Sequence, residues 1–149
     1  MRSLTTRIFI LFFALLIVVL ISMHVHWLYK TYAFEKKEFN TSVLKAIRGV
    51  YEDMPLLYNT SIPIDSLVEI HKDNGFIFQV HTIPDKDSLT FFLLSELEVF
   101  RVFTDCQVAV YNKEQNQYAW QNYLSADASR REEGKGAAIT MLKRDFNYV

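Results

Sequence analysis

The residues able to do chemistry are few and scattered. His24 and His26 stand two apart near the end of a long apolar run, where paired imidazoles could bind a metal or relay a proton. Residues two apart do not share a helix face, so the plain reading is two imidazoles at a membrane interface. Cys106 is the sole cysteine. It excludes a disulfide within the chain and, beside four dispersed histidines, makes no zinc spacing. Asp85 and Asp87 are close enough for acid–base work, but they lie in the turn Pro84-Asp85-Lys86-Asp87-Ser88, where aspartates cap helices. Gly134-Lys135-Gly136 is too short to cradle a phosphate, and neither G-x-x-x-x-G-K-[ST] nor G-x-G-x-x-G occurs. No serine sits in a nucleophile-elbow context. Asn40-Thr41-Ser42 and Asn59-Thr60-Ser61 match the glycosylation sequon, which matters only in a eukaryotic source. No catalytic, cofactor-binding or metal-binding residue is assigned, and no cofactor is expected.

Function must then come from architecture. The chain has 149 residues and a formal net charge of −1, with no basic stripe to attract nucleic acid. Residues Ile8 to Leu28, IFILFFALLIVVLISMHVHWL, contain no charged side chain. About 20 apolar residues span a bilayer as a helix. Arg2 and Arg7 precede the run, but the small residues of a signal-peptidase site do not follow it, so an uncleaved anchor is expected. Trp27, Tyr29 and Tyr32 would form the aromatic belt at the outer interface. Flanking charges are close to a tie (Arg2, Arg7 and the α-amine against Lys30, Lys36 and Lys37). The short tail before the run favours a cytoplasmic N-terminus. The expected location is the inner cell membrane, with a single pass and the bulk of the chain extracytoplasmic.

Beyond the span, Phe39, Val43, Ala46 and Val50 recur at spacings of 4, 3 and 4, with Leu44, Ile47 and Tyr51 in a neighbouring row. That is one apolar face of a helix, in register with the membrane run through Tyr32 and Tyr29 and broken only at Lys36. The helix should end at Met54, because Pro55 disfavours helix at the residue before it. Two copies could pair along this face as a signalling seam, or the face could pack under the domain's own sheet.

The remainder reads as a small α+β domain with an antiparallel sheet and a core helix. Ser66-x-x-Glu69 looks like a capping box opening a short helix that Asn74-Gly75 closes. Phe76 to Ile83 alternates as a strand, with His81 on its polar side. Leu89 to Phe103 is densely apolar and is expected as the core helix, carrying Leu89, Phe92, Leu93, Leu97, Phe100 and Phe103. Cys106 to Tyr111 and Tyr118 to Leu124 form a hairpin around a polar turn. Tyr111, Tyr118, Trp120 and Tyr123 could line a pocket or pair across strands. Ser125 to Lys135 is a polar excursion, Ala137 to Leu142 is apolar again, and Arg144 to Val149 looks like a strand interrupted midway, as at the end of a fragment.

The expected division is therefore a tail at 1–7, a transmembrane helix at 8–28, a juxtamembrane helix at 29–54 and a sensor-like domain at 55–149, cut short at its C-terminal end.

Trp27-Leu28-Tyr29-Lys30-Thr31-Tyr32, followed by Glu35, Phe39 and Val43 to Ile47, resembles the start of membrane-bound sensor histidine kinases of the Bacteroidetes type. Their F-x-x-x-V-x-x-A-L pattern corresponds to Phe39, Val43, Ala46 and Ile47. Leu93 to Asn112 is similar to their helix followed by a strand ending in V-x-V-Y-[DN]. Phe146-Asn147-Tyr148-Val149 is similar to the strand before their second span. Ser61 to Ser88 has no counterpart in that pattern. The resemblance implies an extracytoplasmic input domain for two-component signal transduction, held as a homodimer, receiving an unknown ligand or protein and passing its signal through membrane helices. The kinase's phosphoacceptor histidine box and ATP-binding domain are not among these residues, so the chain could sense but not phosphorylate. The alternative is a single-pass envelope scaffold without signalling.

Overall fold

The computed structural model describes residues 2–57, 62–71, 75–125 and 142–149. The chain divides into two compact units, Met1–Phe39 and Asn40–Val149. A single helix, α1 (Arg2–Asp53), supplies all of the first unit and the opening of the second.

Between Ile8 and Leu28 α1 carries no charged side chain and is almost wholly apolar around its circumference, and the side chains there are exposed. Its most apolar window has a mean hydropathy of 3.0, and none of that window is buried. A helix apolar all round needs an apolar medium. This one is long and apolar enough to cross a membrane. Two polar groups inside the run bond within the helix: the Ser22 hydroxyl donates to the Val18 carbonyl, and His24 Nδ1 bonds the Leu20 carbonyl, each at 2.8 Å.

The second unit is an α+β domain. Its strands are β1 (Val68–His71), β2 (Gly75–Val80), β3 (Cys106–Asn112), β4 (Gln117–Leu124) and β5 (Asn147–Tyr148). They form an antiparallel sheet in the order β1-β2-β5-β3-β4. A second helix, α2 (Lys86–Val99), joins the two halves of the sheet in sequence. Side chains alternate across a strand, so each sheet face can be read from the register. One face carries Phe78 and Val80 of β2, Val108 and Val110 of β3, and Trp120 and Asn122 of β4. The last turns of α1 and the inner side of α2 cover it. The opposite face holds a tyrosine cluster, Ile77, Tyr111 and Tyr148, with Tyr118, Leu142 and Phe146 packed against it.

Three segments depart from the sequence reading. Val68–His71 is a strand rather than a helix opened by a capping box. Ser66 instead closes a short 3-10 turn by donating to the Pro63 carbonyl at 2.7 Å. The β-branched Val68 and Ile70 favour an extended chain, and they lie opposite Phe78 and Phe76 of β2.

The core helix runs from Lys86 to Val99 rather than from Leu89 to Phe103. Asp85 caps it by accepting from the Ser88 amide at 3.0 Å, which moves its start forward. Arg101, at φ 56°, ends it. The Arg101 amide then bonds the Glu98 carbonyl and the Val102 amide bonds the Leu97 carbonyl, with Val102 and Leu97 both buried, which is a Schellman cap. Phe103 thereby falls outside the helix and is 69 % exposed.

The expected strand at the end of the sequence is short but central. Val149 exchanges both backbone hydrogen bonds with Phe78, at 2.9 and 3.0 Å, and Tyr148 stacks on Tyr111 at 4.9 Å. The expected excursion and apolar stretch within 126–141 lie outside the described residues, as does Asn59 of the second sequon.

Candidate functional junction

The apolar face of α1 that the sequence offers as a possible dimer seam has its surroundings in the structure. Val43, Ala46, Ile47, Val50 and Tyr51 are buried within the second unit, Ala46 and Val50 completely. Phe39 is half-buried. Of the two readings of this apolar face, the one that packs it under the chain's own sheet describes these buried positions. Tyr51 fixes the contact: its hydroxyl donates to the Gln79 carbonyl of β2 at 2.5 Å, and its ring meets Phe78 edge-on at 5.9 Å. Burial raises the Tyr51 pKa, so the phenol stays protonated as a donor.

α2 meets the same stretch of α1 at a residue with no side chain. A Cβ on Gly49 would meet the Glu96 carboxylate, so the end of that side chain lies in the space that Gly49 leaves open. Desolvation pushes the Glu96 pKa up, and the charges of Asp53 and Glu52 raise it further. At Asn40, where the second unit begins, the side-chain oxygen is buried with no hydrogen-bond partner. Asn40 lies inside α1.

Trp27, Tyr29 and Tyr32 are exposed on α1, as are His24 and His26. The four aromatics of the β3–β4 hairpin do not gather into a pocket. A bulge between Val110 and Tyr111 makes Tyr111 face Tyr118 while Val110 faces Trp120. Tyr118 and Trp120 therefore leave the strand on opposite faces. Trp120 Nε1 donates to the Pro84 carbonyl at 3.1 Å beside α2, whereas Tyr118 meets Tyr111 edge-on across the far face.

Two features escaped the sequence reading. The Asp105 carboxylate accepts from the Tyr123 hydroxyl at 2.8 Å and from the fully buried Ser125 hydroxyl at 2.7 Å, tying together the open end of the hairpin. Neighbouring Cys106 is half-buried, and burial, aided by the charge of Asp105, pushes its thiol up to about 11. The second feature is an apolar outer surface: Phe91 and Val99 on α2 and Phe103 just beyond it are exposed, and an open cleft runs between Phe91, Leu94, Val102 and Phe103. Only the surplus of aromatics over core positions could have signalled it.

Among the described residues, no group of three or more histidine, cysteine or carboxylate side chains could hold a metal ion. Comparison with protein-family models, with curated proteins and with solved structures gives no match.

Proposed function

We propose that this chain is the membrane-anchored input region of a two-component sensor, of the kind found at the start of Bacteroidetes-type sensor histidine kinases. Its small α+β domain receives an extracytoplasmic ligand or protein, and α1 carries the response through the bilayer. One observation supports this reading above others: the helix long and apolar enough to cross a membrane is the same helix whose final turns are built into the domain's core. Binding that favoured one packing of Tyr51, Gly49 and their partners over another would act on α1 directly. A ligand shifts such an equilibrium only by its difference in affinity for the two packings.

Pairing of two copies is part of this proposal. Because Val43, Ala46 and Val50 are used inside the domain, the pairing falls to α1 before Asn40. Single cysteines placed along 29–39 of the full chain in membranes, with Cys106 replaced by serine, test it. A crosslinking yield that rises and falls with the helical repeat is expected. Uniform or absent crosslinking would sink the paired sensor.

The exposed Phe91, Val99 and Phe103 favour a second reading, an envelope scaffold that binds a partner protein without signalling. The reading frame after Val149 separates the two. A second apolar span followed by a histidine-bearing helix supports the sensor, and an immediate stop codon supports the scaffold.

A further inference from the structure

Three candidates stand outside the reading above: the Asp105 hydrogen-bond knot, the outer edge of β4 and the outward side of α2. The knot is internally satisfied and closes a hairpin. The edge of β4 is interrupted by the bulge opposite Val110 and Tyr111, and further along it the Asn122 side chain accepts from the Tyr123 amide. The outward side of α2 goes further.

Leu89, Leu93 and Leu97, four apart, are the buried row of α2. Phe91, Ser95 and Val99 are also four apart, and all three are exposed. At about 100° per residue, a row displaced by two residues lies on the side of the helix away from the first. Phe91 is 68 % and Val99 66 % exposed, so α2 carries apolar side chains outward as well as inward. Large apolar side chains grouped on a surface mark a site of contact.

The charges around the row say what covers it. Asp87 stands before it and Arg101 after it, both exposed, and neither makes an ion pair among the described residues. An acid at one end and a base at the other complement a copy of the same row laid antiparallel, with each Asp87 directed toward the partner's Arg101. An interface on a two-fold axis requires this self-complementarity, residue i meeting j while j meets i. Ser95 is the midpoint between Phe91 and Val99, and its small side chain lets two helices approach closely where they cross. Glu98, on the flank of the row, falls opposite Phe92 in this register and meets no like charge.

We propose that α2 pairs with α2 of a second copy of this chain, antiparallel about a two-fold axis at Ser95, so that Phe91 of each copy packs on the partner's Val99. A second copy at this face is compatible with either reading above and does not depend on pairing along 29–39.

The test uses the full chain in detergent micelles, with Cys106 replaced by serine and single cysteines introduced on α2. The chains are oxidised with copper phenanthroline, and covalent dimer is read on a non-reducing gel. Ser95→Cys should link to its own copy in high yield. A mixture of Phe91→Cys and Val99→Cys chains should also link. Each of those alone should link poorly, because antiparallel pairing sets like positions about 12 Å apart along the helix, beyond the reach of a disulfide. Lys113→Cys, in the turn between β3 and β4, gives the yield from random collision. Asp87→Arg should lower the yield of Ser95→Cys, and adding Arg101→Asp should restore it. A Ser95→Cys yield no higher than that of Lys113→Cys overturns the proposal and leaves the row to lipid or to a different protein. Self-linking of Phe91→Cys as strong as the mixed yield also overturns it, as does a charge swap that fails to restore linking. Crosslinking along 29–39 reads α1 alone, so the two pairings succeed or fail separately.

Discussion

Replacing Val50 by alanine tests the central structural result, that the apolar face of α1 belongs to the domain's own core. Val50 has no exposed surface. Val→Ala removes two methyl-sized groups from it. Each buried CH₂ is worth about 0.8 kcal/mol in transfer alone. A cavity term then adds to that, because neighbouring side chains close the gap only in part. A loss of about 2 kcal/mol is expected, against a total of about 5–15 kcal/mol for a typical domain. At roughly 4 °C for each kcal/mol, the midpoint should fall by about 8 °C. The assay is thermal unfolding of the full chain in detergent, followed by fluorescence at two protein concentrations about tenfold apart. An intramolecular core requires the same loss at both concentrations. An interface between copies at Val50 would instead make the size of the loss change with concentration. A concentration-dependent loss, or a loss below about 0.5 kcal/mol, would refute the assignment of Val50 to the core.

Arg101 holds a left-handed conformation that costs a non-glycine residue about 1–2 kcal/mol, so Arg101→Gly should stabilise the chain by up to about 1 kcal/mol in chemical denaturation. Asp105→Asn removes the charge from two hydrogen bonds, and a loss of about 1–3 kcal/mol is expected by the same measurement, with Tyr123→Phe costing less. The bonds from Ser88 hold the Asp85 carboxyl below its ordinary value, so its capping contribution is present at neutral pH and is lost as pH falls through the carboxylate range; an Asp85→Asn chain should show a shallower acid limb in pH-dependent melting. With its thiol pushed up to about 11, Cys106 should alkylate far more slowly at neutral pH in the folded chain than in urea, as read by mass spectrometry.

The legible parts of the fold were those with a long period or a hard stop. The apolar run of α1, its amphipathic continuation and its end before Pro55 follow from composition, spacing and proline chemistry, and α1 closes at Asp53. The β3–β4 hairpin was equally plain, since alternation and a polar turn agree. β1 was misread because Ser66-Leu67-Val68-Glu69 satisfies a capping-box pattern, while the strand signal from Val68 and Ile70 spans only four residues. Asn74-Gly75, taken as a helix stop, is also a hairpin dipeptide. The end of α2 was hidden by chemistry that favours glycine: an arginine in the left-handed position gives no sequence cue, so the apolar pattern was followed four residues too far, to Phe103. The bulge that separates Tyr118 from Trp120 had no glycine to announce it either.

The apolar face of α1 shows why spacing alone could not assign its partner. A row of apolar residues at intervals of four and three fits a facing helix and a flat sheet equally well, because both present a surface that excludes water. What decides is which surface is left uncovered elsewhere. The domain has one sheet face carrying Phe78, Val80, Val108 and Val110, and α2 reaches it chiefly through β4. With β5 joining β2 to β3, that face becomes a single apolar surface wider than α2 alone. The final turns of α1, entering through Val50 and Tyr51, supply the missing cover. Their role in the core also makes them costly to move, so any rearrangement of α1 within the domain must exchange one complete packing for another.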